Sequence, residues 1–250
     1  MAPKIPKRRV KKDPQEIVEE LRLRLAPKDY LGDNKLESDS FLLRYLRYHG
    51  MNVKNAKKSI KKYYKYTETK EESRKVEAPS HYVDLYQVFG FSRDSKNRPV
   101  VQIPNLKAWD ITREVDEMEE DFIKSLVKKM FWYLEEELFK NHDEAVVILV
   151  DLKDCLHGET QINPHRISMA MELAGELTAV APGVIGECIL LNAPDGVKLV
   201  TVAAEFLFKT HCTLITDEDD DWREQLMEII PEDQLRPEFG GTFIGEQILH

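Results

Sequence analysis

Short apolar runs and amphipathic stretches alternate along this chain of 250 residues, and their spacing predicts its secondary structure. The clearest apolar runs are Ala145–Val150 and Cys188–Leu191, which are rich in Val, Ile and Leu and are followed by polar breakers. Such runs are typical of strands that are buried on both faces of a sheet. Between them, positions 167–180 have helical spacing. Strand, helix and strand within about fifty residues predict a crossover unit with parallel strands.

Three helices are predicted before this unit, and a hairpin and a long helix are predicted between them and the unit. The expected caps are Asp13 for the first helix, Ser38 or Asp39 for the second, and Asn52 or Asn55 for the third, which runs to about position 69. Strands at 86–91 and 100–103 flank a turn and predict the hairpin. Positions 117–139 predict the long helix because they carry a broad apolar stripe.

Two stretches after the unit have distinct textures. Positions 197–208 are apolar at nearly every residue, too long for a simple strand and too apolar for an ordinary surface helix. Positions 216–221 are acidic and precede a predicted helix at 222–229, where negative charge suits the N-terminus better than it suggests a metal loop.

The predicted third helix has one face made of lysines. Lys54, Lys58, Lys61 and Lys65 belong to a stripe that recurs at helical spacing, with Lys57 and Lys62 beside it. This stripe is either the solvated side of an amphipathic helix or a patch that docks on an anionic membrane. The basic stretch 1–12 is expected to be a flexible tail with the same two interpretations.

Overall charge and cysteine content narrow the class of protein. The net charge of -9 argues against a general nucleic-acid binder. No apolar run reaches the roughly 18 to 20 residues of a membrane helix, and the N-terminus lacks a secretory apolar segment. Three cysteines without metal spacing are a poor disulfide framework. We therefore expect a soluble, reduced, cytoplasmic protein.

The usual catalytic motifs are absent from the sequence. There is no G-x-S-x-G, G-x-G-x-x-G, phosphate-binding loop or H-E-x-x-H. His157 and His165 lack metal spacing, Asp151 has no assignable catalytic partner, and Cys188 is interpreted as an inert buried thiol. No catalytic residue, metal ligand or cofactor is predicted. The surplus of apolar surface on 117–139, 167–180 and 197–208 instead suggests an internal cavity for an apolar ligand.

Several short motifs, taken together and in order, resemble the CRAL-TRIO lipid-binding family, which includes alpha-tocopherol transfer protein and cellular retinaldehyde-binding protein. They are Phe41–Arg47, Asn97–Val100 with Trp109-Asp110, Val150–Leu152, Ile189–Pro194, Ile230–Glu232 and 235–241. The resemblance implies an N-terminal helical region packed on a mostly parallel α/β sheet, and a hydrophobic cavity that a gate helix at 197–208 covers. It implies a tail at 1–12, a helical region at 13–75 and a lipid-binding domain at 76–250.

The resemblance also implies which residues contact the ligand. By the tocopherol-type pattern, the cavity is lined by Phe122, Ser125, Lys129, Val146, Val150, Leu177, Ala181, Gly183, Ile185, Cys188, Val197, Val200, Ala203, Ala204 and Leu207. The polar positions that hold phosphoinositide headgroups in the family are occupied here by Gly183, Val184, Gly186, His211 and Ile215. Neither the headgroup site of the phosphatidylinositol-transfer members nor that of the tocopherol-type members therefore keeps its polar residues here, with the exception of His211.

The function implied is non-enzymatic binding of a small lipophilic ligand, such as a tocopherol, retinoid or carotenoid, with transient membrane contact by a monomer. Two alternatives stay open, a lipid-sensing adaptor and a phosphatidylinositol or phospholipid transfer protein. An α/β enzyme is disfavoured by the missing motifs.

Overall fold

A computed structural model describes residues 13–25, 34–67, 87–105, 117–153, 182–193, 209–216 and 219–248, with isolated residues at 75, 168, 172, 175, 178 and 205. The predicted helix at 167–180 and the segment 197–208 lie almost wholly outside the described residues.

Three helices form the N-terminal region, and their caps follow the sequence. They are α1 (Pro14–Arg24), α2 (Asp39–Tyr48) and α3 (Val53–Thr67). Asp13 accepts a hydrogen bond from the Gln15 N–H at 2.9 Å. Ser38, rather than Asp39, caps α2, because its hydroxyl accepts from the Phe41 N–H at 3.4 Å. Asn52, rather than Asn55, caps α3, because its side-chain oxygen accepts from the Asn55 N–H at 3.1 Å. The three predicted helices are confirmed. Helix α3 is described as far as Thr67, and the predicted positions beyond it lie outside the described residues.

A six-stranded sheet carries the rest of the fold. Its strands are β1 (Phe89–Arg93), β2 (Pro99–Ile103), β3 (Val146–Asp151), β4 (Ile185–Leu191), β5 (His211–Ile215) and β6 (Glu246–Gln247), in the order β5-β4-β3-β2-β1-β6. Strands β2 to β5 are mutually parallel, while β1 runs antiparallel to β2 and β6. The predicted mostly parallel sheet and the parallel pairing of the two apolar runs are confirmed.

Helices pack on both faces of the sheet. Helix α4 (Glu117–Lys140) shares an apolar cluster with α1 to α3 and with Val146 and Val150 of β3. Helix α5 (Trp222–Ile229) shares a second cluster with Val147 and Leu149 of the same strand. Because side chains alternate along a strand, β3 is buried from both sides, as its continuous apolar run predicts.

The strand boundaries differ from the sequence prediction at the β4–β5 edge. Strand β4 begins at Ile185, three residues before the predicted Cys188. The sequence prediction missed these residues because the polar Glu187 and the small Gly186 interrupt the apolar run. Strand β5 was not predicted, since His211 and Thr213 interrupt its apolar pattern.

Within the described part of the chain, no helix has the length and hydropathy needed to cross a membrane.

Candidate functional site

The helix-covered face of the sheet gathers several of the predicted ligand-contacting residues. Val146 and Val150 are 1% and 8% exposed and lie in the same apolar cluster. Phe122 of α4 and Ile185 of β4 are partly buried and pack against that cluster. Ser125 and Lys129 are half-buried on α4. This face is therefore the candidate lipid-binding surface, and we call it the α4 face.

Two other predicted residues have different surroundings. Cys188 of β4 is in register with Ile148 of β3, so it projects to the α4 face, and it is only half-buried. Gly183 lines a neighbouring cleft, with φ +77°, and a Cβ there would stand 3.2 Å from Cγ of Arg44. The remaining predicted residues, Leu177, Ala181, Val197, Val200, Ala203, Ala204 and Leu207, lie outside the described residues.

The cleft beside Gly183 is a second feature of this region, with a volume of about 630 Å³. It lies where the C-terminal end of α2 meets the β1–β2 turn and the starts of β3 and β4. Its basic lining residues are Arg44, Arg47, Lys96, Arg98 and Lys209. Because they come from three separate segments, no local sequence pattern marks them; only the fold brings them together.

Carboxylates neutralise most of this positive charge. Arg98 lies 2.6 Å from both Asp94 and Glu187, and these carboxylates raise the pKa of Arg98 against the opposing effect of burial. Arg47 forms an ion pair with Glu144. Lys209 donates to the Tyr48 carbonyl at 3.1 Å. The cleft thus combines many cations with little net attraction for an added anion.

The positions that the family resemblance assigns to headgroup binding do not form an anion site in this structure. Val184 is buried in the apolar cluster of the α4 face, and Ile215 is buried in the cluster of the α5 face. Gly186 lines the cleft without a side chain that could bind. His211 is exposed and stands 3.9 Å from Glu205, whose charge repels an anion.

We expect soluble short-chain phosphoinositides to bind weakly and without headgroup selectivity, because acids already engage Arg44, Arg47 and Arg98. Isothermal titration calorimetry should show no saturable sub-micromolar binding. Replacing Glu144 with Gln, which releases Arg47, is the informative comparison and should strengthen any residual binding. A tight, headgroup-specific isotherm for the unmodified chain would overturn this expectation.

A buried ionic cluster holds α2 against α4 next to the cleft. Arg44 Nη2 lies 2.8 Å from Oε1 and 2.7 Å from Oε2 of Glu135, and both side chains are almost fully buried. Lys35 Nζ stands 3.8 Å from the same carboxylate and donates to the Tyr63 hydroxyl. Burial opposes the Arg44 charge, but the Glu135 carboxylate helps raise the pKa of Arg44 above its usual value. The charges therefore depend on each other.

The lysine stripe of α3 faces away from the protein. Lys54, Lys58, Lys61 and Lys65 are all exposed. Ala56, Ile60 and Tyr63 form the buried side of the same helix. The predicted amphipathic helix is confirmed, and its docking role stays a prediction.

The described side chains were compared with the grouping that a metal site needs. Across those residues, no three His, Cys, Asp or Glu side chains are grouped so that they could hold a metal ion. The fold is that of a mixed α/β protein. Its described apolar surface lies between a mostly parallel sheet and a long helix.

Comparison with known proteins identifies the family. The model of the CRAL/TRIO domain matches residues 85–241, and the chain belongs to that family, whose members bind and transfer lipids. Among 25 solved chains that match in structure, the crystal structure of Sfh5 has a TM-score of 0.54 and 10% sequence identity, over 82% of each chain. At this identity the likeness to Sfh5 shows the fold alone. A search of curated proteins finds no match.

Proposed function

We propose that this protein is a non-enzymatic carrier that binds one small lipophilic molecule, such as a tocopherol, retinoid or carotenoid, and exchanges it at membranes. The ligand would lie against the α4 face. The family match supports lipid binding, and the shape and chemistry of this face support a largely apolar ligand.

The observation that carries the proposal is the continuous apolar stripe across the α4 face. In-register residues on three adjacent strands, Ile148, Cys188 and Cys212, are followed two positions along by Val150, Leu190 and Leu214. Leu214, at the open edge, is 44% exposed. A flat molecule laid across these strands would contact side chains that can neither donate nor accept a strong hydrogen bond.

Burial alone can supply the affinity that such a site needs. Covering about twenty methylene groups, at about 0.8 kcal/mol each, yields roughly 16 kcal/mol before the costs of association. Those costs are estimated at about 4–15 kcal/mol. A carrier of this kind therefore needs no headgroup contacts, which agrees with the neutralised cleft. We infer that Lys129, which is half-buried on α4, would meet a polar group of the ligand.

Replacing Leu190 with Trp should lower ligand loading while the fold survives. Leu190 is partly buried on the α4 face, so the larger ring would occupy space that the ligand uses. We expect the number of lipid molecules bound per chain to fall by more than half, as measured by native mass spectrometry of protein loaded with retinol or tocopherol.

The matched control is Thr213→Trp on the neighbouring strand. Thr213 is in register with Ile189, which belongs to the cluster of the opposite face. The control variant should load as the unmodified chain does. Equal loading in a folded Leu190→Trp variant would show that the ligand does not lie on the α4 face.

Transfer assays distinguish a carrier from the alternative of a lipid-sensing adaptor. A carrier should move its ligand from donor to acceptor vesicles faster than the ligand moves unaided. A protein that binds the same ligand but gives no acceleration would favour the adaptor.

A further inference from the structure

Two cysteine thiols lie side by side at one edge of the sheet. Cys188 of β4 and Cys212 of β5 are register partners on adjacent parallel strands, and both are free. Side chains at paired positions project from the same face, here the α4 face. Strands about 4.8 Å apart place such Cα atoms within the roughly 4.4–6.8 Å that a disulfide spans. A small shift of the edge strand would therefore suffice to join the two sulfurs.

The two thiols differ in reactivity. Hydrogen bonding to Cys212 and burial both raise the pKa of Cys188 far above its ordinary value. The same hydrogen bond lowers the pKa of Cys212, although burial and the Glu205 carboxylate oppose it. Cys212 is thus the thiol that ionises first, and the thiolate is the nucleophilic form.

The position of Cys212 also favours access and movement. Strand β5 is the last strand at its end of the described sheet and pairs there with β4 alone. Cys212 is half-buried rather than enclosed, and its neighbour Leu214 on the same face is 44% exposed. An edge strand can approach its single partner more freely than a strand that is held on both sides.

We propose that Cys188 and Cys212 form a redox-sensitive dithiol that a hydroperoxide oxidises to a disulfide. An accessible, reactive thiol beside a second thiol that resolves the first oxidation product is the arrangement found in oxidation-sensing sites. The proposal goes beyond lipid carriage and does not depend on it. It also replaces the prediction that Cys188 is an inert buried thiol. That prediction was made without the knowledge that Cys212 lies beside Cys188.

The reaction takes place in two balanced steps. The Cys212 thiolate attacks the terminal oxygen of the hydroperoxide, an S–O bond forms, and the O–O bond breaks. The other oxygen takes up a proton and leaves as an alcohol, or as water when hydrogen peroxide is used. The sulfur of Cys188 then attacks the sulfenic acid on Cys212. An S–S bond forms, and the hydroxyl group leaves as water with the proton of the Cys188 thiol.

The disulfide would form next to Glu205, the one described residue of the segment that the sequence identifies as a gate. The Glu205 carboxylate, within 197–208, accepts a hydrogen bond from the Cys212 backbone N–H at 3.2 Å. Oxidation would therefore tie the strand that makes this contact to the more central strand β4.

The test is oxidation of the reduced full chain with hydrogen peroxide, followed by alkylation, intact mass measurement and peptide mapping. We expect two of the three cysteines to become resistant to alkylation, with Cys188 and Cys212 joined in one linked peptide. Dithiothreitol should restore both. Replacing Cys155 with Ser should leave this result unchanged.

Single variants identify the role of each thiol. Cys188→Ser should leave a sulfenic acid on Cys212 that dimedone captures, whereas Cys212→Ser should abolish both the disulfide and dimedone capture at Cys188. The decisive result comes from the unmodified chain, so it holds even if a variant fails to fold. Linkage through Cys155, or independent oxidation of the two thiols to sulfinic acids without a disulfide, would overturn the proposal.

Discussion

Replacing Glu135 with Ala is expected to lower the free energy of unfolding by about 3–5 kcal/mol. The Glu135 side chain is 0% exposed and neutralises Arg44, whose side chain is 4% exposed, with Lys35 nearby. Removing the carboxylate would leave buried positive charge without its counterion. Chemical denaturation monitored by tryptophan fluorescence measures the change, since Trp132 lies in the apolar cluster of the α4 face.

Glu137→Ala is the matched control on the same helix. Glu137 forms a 3.4 Å ion pair with Lys140, whose side chain is 73% exposed, and such surface pairs contribute at most about 1 kcal/mol. The double variant Arg44→Met with Glu135→Leu should recover part of the stability lost in Glu135→Ala, because it removes both partners of the main pair. A loss below about 1 kcal/mol in Glu135→Ala would mean that the buried pair does not couple α2 to α4.

Reversing the charge of four lysines on α3 should weaken docking on anionic membranes by at least about a thousandfold at low salt, the factor expected from losing the four attractions alone. The variant changes Lys54, Lys58, Lys61 and Lys65 to Glu. Each well-placed lysine contributes about 1 kcal/mol near an anionic surface, and about 1.4 kcal/mol corresponds to a factor of ten. Vesicle flotation measures docking, and transfer of ligand to anionic vesicles should slow in parallel. Ligand affinity in solution should not change, because the buried side of α3 is untouched.

A second variant with the same change in net charge isolates the effect of the lysine stripe. Four exposed cations on other elements, Lys96, Lys140, Lys153 and Arg223, are changed to Glu. The stripe variant should lose far more docking than this control, and high salt should remove the difference. Equal losses in the two variants, or transfer that is insensitive to salt, would leave the stripe as the solvated side of a helix.

The elements with strong local signals were predictable from sequence. Asp13 before Pro14 and Ser38 before an apolar run mark helix starts through capping chemistry that acts within three residues. The apolar run that ends at Asp151 predicted a strand buried on both faces, and β3 is packed against α4 on one side and α5 on the other. In each case the residues that determine the element lie within it.

The features that depend on distant partners were not predictable. Strand β5 has only five residues, and His211 and Thr213 interrupt its apolar pattern. Its pairing with β4 supplies the structure that its sequence does not signal. The ion pair between Arg44 and Glu135 joins residues 91 positions apart. The pairing of Cys188 with Cys212 needs the strand register, so each cysteine by itself gave no sign of it.

Native mass spectrometry of the purified chain, followed by solvent extraction and identification of what it carries, tests directly whether the protein is a lipid carrier. We expect one apolar molecule per chain, released by organic solvent and exchangeable for added retinol or tocopherol. A chain that carries nothing and takes up no lipophilic molecule when incubated with vesicles that contain these compounds would contradict the proposal of a lipid carrier.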